Sequence, residues 1–257
     1  MTKSGKILAV ANQKGGVGKT TTSINLSVAL SRSRKKVLLV DADPQGNASS
    51  GLGFQTKKTT AHLYNALTGQ CRIEEAIHPA HEDKVFLIPS NIDLAAAELE
   101  LVSLSQRESQ LKMLLLPIKG NFDFILIDCP PSLGLLTVNA LTAASSVLIP
   151  MQCEYFALEG LAQLVNTIRS VKRSFNTALF IEGIVLTMFD KRNRLTYQVA
   201  DEIKAHFEQQ LFNTVIPRNV RLSESPSHGK SVFQYDGSSS GALSYAALAR
   251  EFLKRQG

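Results

Sequence analysis

The chain has no tryptophan, only three cysteines among 257 residues, and no apolar run near the roughly 18 residues that a membrane span requires. Cys71, Cys129 and Cys153 are odd in number and widely spaced, so they outline neither a disulfide framework nor a zinc pattern. They read as buried or half-buried thiols. Met1 to Lys6 is polar and lacks the apolar stretch of a secretory leader, so a cytoplasmic protein is the expectation. Acidic residues are scarce in one region. Residues 1–60 hold ten Lys/Arg and two Asp/Glu, whereas residues 61–168 hold five and twelve. Residues 169–230 turn basic again, with ten and six, and the whole chain carries +6. Segregated positive charge suits a polyanion such as DNA, although part of the N-terminal excess also suits phosphates.

Short apolar, β-branched runs recur along the chain: Ile7 to Ala11, Val37 to Val40, Val85 to Ile88, Phe124 to Ile127, Val147 to Met151, Ile181 to Met188 and a brief one at Thr214 to Ile216. Runs of this kind fit strands buried on both faces. Helical patterns lie between them: Thr20 to Ser31, Leu94 to Leu116, Leu133 to Ala143, Leu158 to Ser174, Thr196 to Phe207 and Ala242 to Lys254. The alternation predicts an α/β fold, a mostly parallel twisted sheet with helices on both faces, as one domain over residues 1–257. Asp236 to Gly241 is the stretch expected to be most flexible. Ligands of such sheets bind at the carboxyl ends of strands.

Lys14-Gly15-Gly16-Val17-Gly18-Lys19-Thr20-Thr21 lies at such an end, after the first strand and opening a helix. Glycines let backbone N–H groups converge on phosphate oxygens, and the helix N-terminus adds partial positive charge. Lys19 suits the β- and γ-phosphates, the Thr20 hydroxyl suits Mg²⁺, and Thr21 suits the α-phosphate. ATP is the expected ligand. The usual phosphate-loop pattern starts with a glycine where this chain has Gln13, and Lys14 is an additional cation. Asp41 and Asp43 close the second strand, and Asp128 closes the fourth. Carboxylates there can hold Mg²⁺ or orient water.

The Lys14 to Thr20 segment resembles the deviant Walker A box of the ParA/MinD ATPases, P-loop NTPase-like proteins. Leu186 to Asp190, Ile216 to Glu224 and Pro226 to Lys230 extend the resemblance to the chromosomal ParA (Soj) group. The resemblance implies that Lys14 crosses a dimer interface to a second nucleotide, acting as an arginine finger does. It implies that Asp43 orients the attacking water and that Asp128 reaches Mg²⁺ through water, with Asp41 nearby. Pro44 to Asn47 and Pro130 to Gly134 become switch segments. Met188, Pro217 and Asn219 frame the adenine, whose edge an amide can read because it offers donor and acceptor.

The resemblance further implies an ATP-dependent homodimer that binds double-stranded DNA non-specifically and is reset when a ParB-like protein stimulates hydrolysis. Arg192 and Arg221 match the DNA-contacting arginines, and Lys230, Lys172, Arg173, Arg194 and Arg218 widen the patch. Such contacts go to phosphates and are salt-sensitive. The expected protein is cytoplasmic and nucleoid-associated. A MinD-like alternative sits on membranes through a C-terminal amphipathic helix, but the apolar face of Ser244 to Arg255 is small and alanine-rich, so no membrane contact is expected. An iron–sulfur relative would need a second cysteine in a glycine-rich switch, and none follows Cys129 there.

Overall fold

The computed structural model describes residues 5–55, 61–154 and 157–257; most of the polar N-terminus, residues 1–4, lies outside them. Among the described residues, one sheet is built from β1 (Lys6–Val10), β2 (Val37–Asp41), β3 (His78–Pro79), β4 (Val85–Ile88), β5 (Phe124–Asp128), β6 (Ser146–Gln152) and β7 (Phe180–Thr187). Their spatial order is β3-β4-β2-β5-β1-β6-β7. All pairs are parallel except the short β3, which runs antiparallel to β4 at one edge.

The central strands are apolar on both sides because helices cover both sides. Ile7, Ala9, Leu38, Val40, Ile125 and Ile127 face one layer, with α6 (Leu135–Ala143), α7 (Ala157–Ser174) and α8 (Arg194–Phe207) packed on it. Leu8, Leu39 and Leu126 face the other, beneath α1 (Lys19–Arg32) and α11 (Ser240–Arg255). The odd and even positions of one strand thus serve two cores. α11 buries Tyr245, Leu248, Ala249 and Phe252, and the Phe252 ring meets Phe124 edge-on at 5.4 Å. Its apolar face is therefore docked on the sheet, and it carries larger side chains than the alanine pattern implied.

The register sets up the site. Val10 and Asp41 both lie opposite Asp128, so the two carboxylates close adjacent strands at the level where the phosphate loop leaves β1.

The structure departs from the sequence reading in four places. The single helix expected over Leu94 to Leu116 is broken into α4 (Leu94–Leu101), a 3-10 turn at Arg107–Ser109 and α5 (Gln110–Leu115). Ser103 Oγ bonds back to the Glu100 carbonyl, and Gln106 turns to φ +54°. Asn139 on α6 then caps the break, accepting from Leu111 N and donating to Arg107 O. Side chains that hydrogen-bond to local backbone compete with the helix ladder in this way. No strand forms at Thr214 to Ile216. The Glu251 carboxylate takes the N–H groups of Asn213 and Thr214, leaving isolated bridges from Ile184 to Leu211 and from Phe189 to Pro217.

Short elements with weak periodicity went unread: β3, α2 (Asn47–Gly51), α3 (Leu63–Leu67), α9 (Val220–Glu224) and α10 (Val232–Asp236). Finally, Asp236 to Gly241 is an ordered turn, in which Ser239 caps α11 by accepting from Ala242 N at 3.3 Å.

Candidate active site

The phosphate loop owes its shape to its glycines. Gly16 and Gly18 sit at φ +74° and +85°, left-handed conformations that cost an L-side chain on the order of 1–2 kcal/mol. Gly18 is also the N-cap of α1, so the turn ends where the helix N–H groups begin. The loop is clipped to its neighbours at both ends. Asn12 donates to the Pro150 carbonyl of β6 at 2.8 Å and accepts from Lys14 N at 3.0 Å. Thr187, at the end of β7, donates to the Val17 carbonyl at 2.7 Å. The missing glycine at Gln13 is thus accommodated by Asn12 holding the turn.

Lys19 is buried, and its ammonium donates to the Lys14 carbonyl at 3.0 Å. Burial lowers its pKa; the Asp128 charge opposes that shift. Asp128 itself is fully buried. It accepts from Ser23 Oγ at 2.8 Å, while its Oδ2 has no hydrogen-bond partner among the described residues. Loss of hydration, then the neighbouring Asp41, drives its pKa up, with the Thr20 hydroxyl lowering it from close by. Asp41 is raised too, by burial, against hydrogen bonds from Ser49 and from Asp43 N. That carboxylate anchors the turn from Asp43 to Ser49. Asp43 is buried at the cavity wall, and its Oδ1 accepts from Gln45 N at 2.9 Å.

A cavity of about 430 Å³ is lined by Gly15, Gly16, Gly18, Lys19, Thr20 and Thr21 on one side. Asp43, with Gln45 and Pro131 from the two expected switch segments, closes the other. A second cavity of about 400 Å³ adjoins it, sharing Gly18, Thr21, Met188 and Pro226, and is walled by Pro217, Asn219 and Leu222. Together they match a polyphosphate followed by a flat base. Met188 sits between them at φ +48°, a strained conformation for a non-glycine residue, as is common at ligand sites. Asn219 caps α9 by accepting from Arg221 N at 2.9 Å and donates to Ser240 Oγ at 2.7 Å. One lone pair and one N–H of its amide remain for a base edge.

The donor set fits Mg²⁺. A hydroxyl and a carboxylate with an orphaned buried oxygen stand beside the phosphate cavity. Among the described residues, no three His, Cys, Asp or Glu converge on one point. Mg²⁺ characteristically takes one or two protein ligands plus phosphate oxygens, in preference to an all-protein cage.

The structure gathers most of the predicted residues. Lys14 is the exception: its ammonium forms an ion pair with Glu154, just after β6, and does not line the cavity. Val17 points into the core and offers only its backbone. Arg192, Arg221 and Lys230 are exposed and lie outside both cavities. Asn12, Ser23, Glu154 and Pro226 were not assigned site roles from the sequence. Glu154 is 140 positions from Lys14, and no local pattern links them. Cys129 is buried and donates to the Ile127 carbonyl; Cys153 is buried and Cys71 half-buried, as expected of ordinary thiols.

Converging glycine-loop N–H groups, a buried ammonium and an unsatisfied carboxylate define the class of protein: a P-loop ATPase. A family profile described as an AAA domain matches residues 5–181. The chain is 54% identical over 247 residues to the sporulation initiation inhibitor protein Soj of Bacillus subtilis, covering 96% of this chain and 98% of that one. It is 52% identical over 251 residues to the chromosome partitioning protein ParA of Myxococcus xanthus, covering 98% and 89%. Among solved structures, cobyrinic acid a,c-diamide synthase from Mycobacterium smegmatis, with bound ATP analog and magnesium, superposes with a TM-score of 0.86 at 37% identity, covering 98% and 96%. The chain belongs to the ParA/Soj family of chromosome-partitioning ATPases, within the ParA/MinD group.

Proposed function

We propose that two copies of this chain, each holding ATP and Mg²⁺, close into a homodimer that binds double-stranded DNA without sequence preference. Hydrolysis, stimulated by a ParB-like partner, then separates the copies and releases the DNA. The protein works in the cytoplasm on the nucleoid.

The observation that carries this reading is Lys14. Its backbone carbonyl receives Lys19, while its side chain turns away from its own phosphate cavity to the surface, where it is 40% exposed. A loop cation that does not serve its own nucleotide is placed to serve another copy's. Lys19 exchanges the Lys14 carbonyl for β- and γ-phosphate oxygens, and the loop N–H groups hold the rest of the chain of phosphates. Asp43, fixed by Gln45 N, orients the attacking water. Thr20 and Asp128 would hold Mg²⁺, with Asp43 facing the same cavity; the ion would supply positive charge to offset that of the phosphates. Lys14 of each copy, once released from Glu154, reaches the other copy's transferring phosphoryl group.

The apolar face of α11 is buried against the sheet, which weighs against the membrane-seated alternative because that face is what it would need. Size-exclusion chromatography with ATP, with ADP and without nucleotide tests the dimer. Wild type is expected to dimerise only with ATP and Lys14→Ala not at all; an unchanged ATP-dependent dimer of the variant would sink the reading. DNA mobility shifts under the same three conditions test the DNA step.

A further inference from the structure

Both arginines placed on the DNA face are held by carboxylates of their own chain. Arg192 donates from Nε to Asp190 Oδ1 and from Nη2 to Asp190 Oδ2, each at 3.0 Å, a planar two-pronged pair of the kind a phosphate would otherwise receive. Arg221 donates from Nη1 to Glu224 Oε2 at 2.9 Å, and its Nε lies 3.3 Å from Asp236 Oδ2. Tyr235 fixes that arrangement: its hydroxyl donates to Glu224 at 3.2 Å, and the guanidinium lies 6.0 Å from its ring centroid. The two sites are on different elements, the turn after β7 and α9, and share one feature: carboxylates of the same chain engage the guanidinium.

We infer that Asp190, and Glu224 with Asp236, are affinity-setting residues for the polyanion surface, holding each arginine in an internal pair that DNA phosphate must displace. This rests on the proposed DNA-binding reading. The physical basis is competition. A guanidinium in a two-pronged carboxylate pair has its best donors committed, and an incoming phosphate meets a locally neutral group beside a negative charge. The Asp190 pair persists through the neutral range, because Arg192 holds that carboxyl down at about 2. The effect is to keep non-specific DNA binding weak in a single copy, so that joining the patches of two copies makes the difference between free and bound.

Asp190→Asn tests it cleanly. Asparagine keeps the Oδ1 acceptor for Arg192 N, which forms the turn, while it removes the charge and replaces the Oδ2 acceptor facing Arg192 Nη2 with an NH₂ donor. Glu224→Gln is the second variant, so a folding defect at one site leaves the other readable. Glu74→Gln, exposed next to the opposite sheet edge, controls for net charge alone. DNA affinity of the ATP-bound protein is measured from low to moderate salt, with ATP-dependent dimerisation checked for each variant. Each arginine then reaches its phosphate without first displacing a carboxylate. Binding at low salt therefore tightens roughly threefold or more, with a similar salt slope because the number of phosphates contacted is unchanged. Unchanged affinity, or an equal gain in Glu74→Gln, overturns the inference. Wild type that fails to bind DNA with ATP overturns the underlying reading instead.

Discussion

The molecule keeps its important carboxylates in two opposite settings. Asp41 and Asp128 lie side by side at the ends of β2 and β5, fully buried, with no arginine or lysine among the described residues bonded to either. Asp190 lies at the surface in the grip of Arg192. The same chemical group responds in opposite directions. Burial pushes Asp41 to about 6 and Asp128 to about 7, whereas the arginine holds Asp190 near 2. A buried carboxylate with a free oxygen stores a demand for positive charge, which a nucleotide-bound cation answers. An exposed, paired one stores nothing and only sets how readily its arginine changes partner.

The largest effect is expected inside. Asp43→Ala removes the carboxylate proposed to orient water while leaving Lys19 and the loop N–H groups in place. Phosphate release is expected to fall on the order of 10²- to 10⁴-fold with nucleotide binding retained; equal rates would remove Asp43 from the mechanism.

The buried pair also predicts a pH dependence. Both folded-state pKa values are raised above the unfolded ones, so this stability contribution is complete below about pH 4 and is lost as pH rises through 6 to 7. Nucleotide-free protein is expected to lose on the order of 2–4 kcal/mol from this source between pH 5 and pH 8. Asp128→Asn should flatten the profile, and ATP with Mg²⁺ should flatten it too. Urea titrations of both proteins at several pH values measure this. A wild-type profile as flat as the variant's would mean the pair ionises without cost.

At the surface the effects are smaller and electrostatic. Arg192→Glu and Arg221→Glu should each weaken DNA binding about tenfold at moderate salt and leave ATP-driven dimerisation intact. Normal shifts by both variants would move the DNA face elsewhere. The smallest effect expected is none: Arg192→Ala should leave the melting temperature unchanged, because an exposed ion pair contributes little to stability. A clear drop would show that the turn after β7 depends on that pair, and the contrast between the two regions would blur.

Much of the site was legible beforehand because its chemistry is local. Lys14 to Thr21 is contiguous, and the need for φ > 0 at Gly16 and Gly18 is written in the glycines themselves. The strands were legible because burial on both faces demands unbroken apolar runs. The break after Leu101 was not, because it depends on Asn139 from a distant helix taking up the freed backbone. The strand expected at Thr214 failed for a like reason: a Glu251 carboxylate outcompetes the sheet for its N–H groups. The hydrogen bonds from Ser49 to Asp41 were also not legible, because they join residues eight apart through a turn.

The sequence by itself determined the phosphate loop, the strand-end carboxylates and the parallel sheet that carries them, since each follows from neighbours a few residues apart. Tertiary structure alone decided which cations are free. Lys14 meets Glu154 and Arg221 meets Asp236 only after folding, because an ion pair forms wherever the chain brings opposite charges within reach, and that distance is set by the packing of the whole sheet.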